Sequence, residues 1–176
     1  MRKIIVLAVI VLFLAGFAWS ARTREEQLTN GDTVRVRLAP RDPRAFLLGD
    51  YMALNYALNR EVDAALGRHA GGQALRQQPR DGVAVVRLDA DRVASFVRLD
   101  DGQPLREGEH RLYFRVRERG AQIAASAFYF QEGYAADFDR AAYGELRVDA
   151  EGRSLLVRLL DDRLQWIQPR RAKPEE

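Results

Sequence analysis

Cysteine is absent from the 176-residue chain, which removes disulfides, thiolate metal sites and cysteine nucleophiles together. Lysine occurs only as Lys3 and Lys173, so none lies in the expected folded body to serve as base for Ser95, Ser126 or Ser154. That inventory excludes a Ser-Lys peptidase. The two histidines, His69 and His110, stand near no nucleophile elbow and form no His-x-x-x-His pair. Gly71-Gly72 lacks the Lys-Ser/Thr continuation of a phosphate loop. No catalytic residue stands out, and neither a metal nor a cofactor is expected. One-sided charge is scarce as well. Setting aside Arg2 and Lys3 lowers the formal charge from +3 to +1, with acids and bases interleaved. A nucleic-acid partner is therefore not expected.

Long apolar runs are rare, with one exception. Arg2-Lys3 precede Ile4 to Ala21, which carry no charge, and Arg22, Thr23, Arg24, Glu25 and Glu26 follow. Eighteen helical residues at about 1.5 Å each span roughly 27 Å, close to a bilayer's hydrocarbon thickness. The leading basic pair favours a cytoplasmic N-terminus, and Trp19 suits a membrane interface. Residues 1–21 are read as a single-pass anchor in the bacterial inner membrane, with the remainder periplasmic. A cleaved signal peptide competes, because Ala18, Ser20 and Ala21 offer a cleavage site. Both readings export the rest of the chain.

From Thr33 onward the dominant period is two, the pattern of half-buried strands. Val34, Val36 and Leu38 alternate with Arg35 and Arg37, while 83–88 and 93–99 form short apolar runs. Leu112, Phe114 and Val116 alternate next, and 123–130 leads to Phe128 and Phe130. Residues 143–148 and 155–160 form a last pair joined by Asp149-Ala150-Glu151-Gly152-Arg153. Turn residues at Asp89-Ala90-Asp91, Asp100-Asp101-Gly102 and Arg119-Gly120 fall between runs. The fold class is thus all-β, a mainly antiparallel sandwich or barrel-like domain with one or two short helices, preceded by the single transmembrane helix. The helices are expected within 59–80, for example 60–68, and within 131–142. The expected organisation is anchor 1–21, linker 22–32, β-rich domain 33–168 and disordered tail 169–176.

The most distinctive segment is Pro40-Arg41-Asp42-Pro43-Arg44, followed by Gly49-Asp50-Tyr51, Leu54 and Tyr56. Pro43 biases Asp42 to an extended conformation, Gly49 tolerates positive φ, and Asp50 can accept backbone N–H groups in an Asx-type turn. Together they would launch a strand with Met52, Leu54, Tyr56 and Leu58 on one face and Tyr51, Ala53, Asn55 and Ala57 on the other. These five motif residues, at their spacing, resemble the pattern for which the GDYXXLXY family of bacterial membrane-anchored proteins is named. The lead-in, Glu132-Gly133 and the hairpin from Tyr143 to Gly152 are similar too. The resemblance implies an architecture and a location rather than a reaction and, by analogy, a polytopic membrane protein as partner.

Two readings of the segment stay open. Its residues form a turn and a core strand, or Arg41, Asp42, Arg44, Asp50 and Tyr51 ring a binding site. The functional expectation is an accessory or interaction module that binds an integral membrane partner or envelope component through the motif, Arg41, Asp42, Arg44, Gly49, Asp50, Tyr51, Leu54 and Tyr56. The alternative is an envelope hydrolase using the carboxylates of Asp42 and Asp50. The aromatic cluster Phe128, Tyr129, Phe130, Tyr134 and Phe138 is either core or partly an exposed patch. Trp166 is read as a core residue of a last strand.

Overall fold

The computed structural model describes residues 2–39, 51–67, 81–117, 120–131 and 133–169. Helix α1 (Arg2–Asn30) runs on through the segment assigned above to a linker. Local bonds continue it: Arg22 pairs with Glu26 at 3.1 Å, and Thr29 Oγ1 donates to the Glu25 carbonyl at 2.9 Å. Its described large apolar side chains face outward, with Leu12 and Trp19 both 75% exposed. Among the described residues no helix is long and apolar enough to cross a membrane. The side chains of Ile4, Ile5, Leu7 and Ala8, which belong to the apolar run, lie outside that described set.

Among the described residues nine strands follow: β1 (Asp32–Arg37), β2 (Tyr51–Ala53), β3 (Gly82–Leu88), β4 (Ala94–Leu99), β5 (Glu109–Arg117), β6 (Gly120–Gln122), β7 (Ala127–Tyr129), β8 (Tyr143–Val148) and β9 (Ser154–Leu160). They form antiparallel sheets in the orders β1-β8-β9, β4-β3-β5-β6 and β2-β7. The two larger sheets meet where Arg35 N donates to the Arg92 carbonyl at 2.8 Å, and again where Tyr113 N donates to that of Gly152 at 2.7 Å. Their shared core takes Val34 and Val36 from β1, Leu112 and Phe114 from β5, and Leu146 and Val148 from β8. Alternation explains the selection, since every second residue of a pleated strand turns inward.

Among the described residues one turn device occurs three times. Asp89, Asp149 and Asp161 each accept through Oδ1 the backbone N–H groups two and four residues on, at 2.8 to 3.1 Å. The residue three positions on takes positive φ: Arg92 at 59°, Gly152 at 83° and Leu164 at 61°. This is a turn closed by a left-handed residue, which matches the twist of flanking strands.

Among the described residues the short helices are α2 (Ala57–Ala65) and a 3-10 turn (Ala135–Phe138). The first begins where the sequence alternation suggested continued strand, because Leu58 and Val62 satisfy a helical i, i+4 spacing and both are buried. Residues 123–130 likewise divide, leaving only β7 as strand. Trp166 is a correction: it is half exposed, while Ile167 fills the core and donates its N–H to the Leu159 carbonyl at 3.0 Å. Neighbouring residues of an extended segment face opposite ways, and Ile167 takes the inner one.

Candidate functional site

Of the motif residues, Tyr51, Leu54 and Tyr56 are described, whereas Arg41, Asp42, Arg44, Gly49 and Asp50 lie outside the described residues. The hydrolase alternative rests on Asp42 and Asp50 and so falls outside them too. The described part spans a gap between two elements. Ala39 N donates to the Asn55 carbonyl at 2.7 Å on one side, and Leu54 N donates to the Ser126 carbonyl at 2.8 Å on the other. Burial alternates strictly, with Met52, Leu54 and Tyr56 inside and Tyr51, Ala53 and Asn55 outside.

The two motif tyrosines therefore have different work. Tyr56 is enclosed; its hydroxyl donates to the Ala125 carbonyl at 3.0 Å, and its ring packs where Gly144 leaves room for it. Burial raises its phenol well above the ordinary tyrosine value, so it stays neutral and acts as a structural donor. Tyr51 opens β2 at the surface beside Tyr129 of β7, ring centroids 5.7 Å apart, with Tyr129 three-quarters exposed. Beneath this pair Phe128 and Phe130 both lie against Phe138 at 5.1 Å. The aromatic cluster is thus divided, with Phe138 in the core and Tyr129 outside.

Helix α2, which follows the motif, packs on β6, β4 and β1. Asn59 Oδ1 accepts from Ile123 N at 3.3 Å and Asp63 Oδ1 accepts from Ala121 N at 3.0 Å, so two side chains one turn apart cap the free backbone of β6. Gly120, at φ 115°, lies where an added Cβ would strike the Asp63 carboxylate. Neither side chain was singled out in the sequence, although Asn55, Asn59 and Asp63 repeat at helical spacing.

A family model described as GDYXXLXY protein matches residues 13–159. The chain belongs to the GDYXXLXY family. No curated protein matches it, and no solved structure does. The residues of the GDYXXLXY motif that are described divide into a buried pair, Leu54 and Tyr56, and an exposed aromatic, Tyr51.

Charged groups elsewhere are mostly held against each other. Glu109 is enclosed between Arg98 at 3.5 Å and Arg87 at 3.7 Å. Asp100 takes Arg111 at 2.8 Å, and that guanidinium is the main reason its carboxyl lies below the usual range. Asp81 is lowered chiefly by the Tyr113 hydroxyl at 2.9 Å. His110 lies 3.8 Å from Asp32, and Ser95 bonds the Arg87 carbonyl. Among the described residues no group of three or more His, Asp or Glu could hold a metal.

The opposite end of the domain is fastened to α1. Gln27 is buried, and its amide donates to the carbonyls of Arg153 at 2.7 Å and Arg147 at 3.2 Å. Gly31 leaves no space beside the Val148 carbonyl, 3.1 Å from where a Cβ would sit. The helix end and the β8–β9 hairpin are thus joined by two side-chain bonds and a close backbone approach.

Proposed function

We propose that this GDYXXLXY protein is a single-pass, membrane-anchored interaction module, its β domain held outside the bacterial inner membrane against an integral membrane partner or envelope component. The observation that carries the reading is the helix α1. A run of eighteen uncharged residues, outward-facing wherever its side chains are described, is joined to the domain through Gln27. A lone helix with that much apolar surface in water is unfavourable at roughly 25 cal/mol per Å², and a bilayer removes the cost. Arg2 and Lys3 before the run favour a cytoplasmic N-terminus.

The exposed Tyr51–Tyr129 pair supports contact with a partner at the motif end, since tyrosine offers a large, stiff, amphipathic contact. The test is recovery of tagged full-length protein from native membranes in mild detergent, beside a Tyr51→Ala, Tyr129→Ala variant. Recovery of one polytopic protein by the parent, lost with a folded variant, supports the reading. Equal recovery by both removes the motif from the interface, and recovery of nothing by either removes the partner.

A further inference from the structure

Arginines distant in sequence converge on the outer face of the β1-β8-β9 sheet. Register places Arg35 opposite Glu145 and Glu145 opposite Arg158, making a row of plus, minus, plus across three strands. Glu145 Oε2 accepts from Arg35 at 3.3 Å and its Oε1 from Arg158 at 3.0 Å. On one side of this row Arg37 lies opposite Tyr143 and bonds its hydroxyl at 2.7 Å; on the other Arg147 lies opposite Thr33 and bonds Oγ1 at 2.6 Å. Trp166, half exposed, lies under Arg158 with the guanidinium 5.2 Å from its ring centroid. Arg37 sits likewise over Tyr143 at 5.2 Å.

Of these four guanidiniums only those of Arg35 and Arg158 pair with Glu145, while Arg37 and Arg147 bond neutral groups, so the five residues carry a net charge of +3 in a chain whose remainder is near neutral. Arg37 and Arg158 are held over aromatic rings, so little side-chain freedom is lost when they meet a ligand. Arg37 and Arg158 beside the half-exposed Trp166 have the composition of a protein interface hot spot, with the buried Tyr143 as support under Arg37. A half-exposed indole set under one of the guanidiniums favours a protein surface, where Trp and Arg are the enriched contact residues, and the net positive charge favours an acidic one.

We propose that the outer face of β1-β8-β9 docks an acidic polypeptide surface, with Arg35, Arg37, Arg158 and Trp166 as its contacts. This rests on the interaction-module reading and names its partner's chemistry. The acidic surface supplies carboxylates to Arg37 and Arg158, while Glu145 keeps the two central arginines parallel.

The test uses the full chain in detergent with Trp19→Phe, which leaves Trp166 as the sole tryptophan, titrated with a poly-L-glutamate peptide. Saturable change in Trp166 emission is expected, weakening about tenfold or more as ionic strength rises from about 0.01 M to about 0.15 M and the screening length shrinks from about 30 Å to about 8 Å. An Arg37→Gln, Arg158→Gln variant, and Arg37→Gln alone at the exposed end of the face, should each weaken binding while far-UV circular dichroism stays unchanged. No saturable response, or equal binding by these variants, overturns the proposal. So does preferential binding to phosphatidylglycerol vesicles over the peptide, lost in the same variants. A chain that ignores the peptide yet still recovers a membrane partner through Tyr51 and Tyr129 leaves the module reading intact; loss of that recovery removes the module reading itself.

Discussion

Gln27, in the last turns of α1, donates its side-chain amide to the carbonyl of Arg153 in the β8–β9 turn at 2.7 Å. It reaches the Arg147 carbonyl as well, at 3.2 Å, so one side chain fixes the helix against the hairpin. Replacing it by alanine removes both side-chain bonds, although the Arg153 carbonyl keeps the Asp149 N–H at 3.1 Å. Gln27→Ala should cost about 1–3 kcal/mol by denaturant unfolding and speed hydrogen exchange around Gly31. Unchanged exchange there would mean that the helix and the domain are not fastened by this residue.

The two motif tyrosines should part company under mutation. Tyr56→Ala empties a filled core position and should destabilise by about 3–5 kcal/mol, while Tyr56→Phe loses only the bond to Ala125 and about 1 kcal/mol. Tyr51→Ala removes a surface ring beside Tyr129 and should stay within about 1 kcal/mol of the parent. Urea unfolding measures all three, and a Tyr51→Ala loss as large as that of Tyr56→Ala would contradict this division of roles.

Much of this was legible in the sequence. The alternation of Val34 with Arg35, or of Leu112 with Tyr113, is a local signal that β1 and β5 follow, while β3, β4, β8 and β9 form where apolar segments bounded by turn residues were read as strands. Leu58 misled because apolar residues two and four apart fit a strand, while Leu58 and Val62 fit a helix equally well, and packing on β6 decided between them. Trp166 and Ile167 are adjacent and both apolar, so the inner face could be assigned only once β9 was in place. The pairing of Tyr51 with Tyr129, the clamp at Gln27 and the gathering of Arg35, Arg37, Arg147 and Arg158 are products of register between distant segments. No window of sequence contains them.

Acid and base should act on one pair. The Tyr113 hydroxyl lowers the Asp81 carboxyl, so this stabilisation is complete above the ordinary carboxylate range near pH 4 and is lost as pH falls through the lower folded value. The same bond raises Tyr113, whose contribution is complete below about pH 10 and disappears as pH rises through the higher folded value. Tyr113→Phe should flatten both limbs of a plot of urea midpoint against pH. An unchanged curve would show that the bond contributes nothing to folding.

The hairpin turn at Gly152 should be intolerant. With φ at 83° and the Arg111 carbonyl oxygen 2.9 Å from an added Cβ, Gly152→Ala combines backbone strain with a clash. A loss of about 1–3 kcal/mol is expected by thermal or denaturant unfolding, larger than for alanine at exposed Gly102, where an added Cβ meets open space. Equal losses would place the cost in φ alone.

The account depends most on α1 holding the domain outside a membrane. The direct measurement is protease accessibility of a C-terminally tagged full-length chain in spheroplasts, followed by carbonate extraction and intact-mass determination of the protein recovered. The account predicts a chain with its N-terminal run retained, resistant to carbonate, whose β domain is cut by protease added from outside. A carbonate-soluble chain, or a domain protected until the inner membrane is lysed, would contradict it.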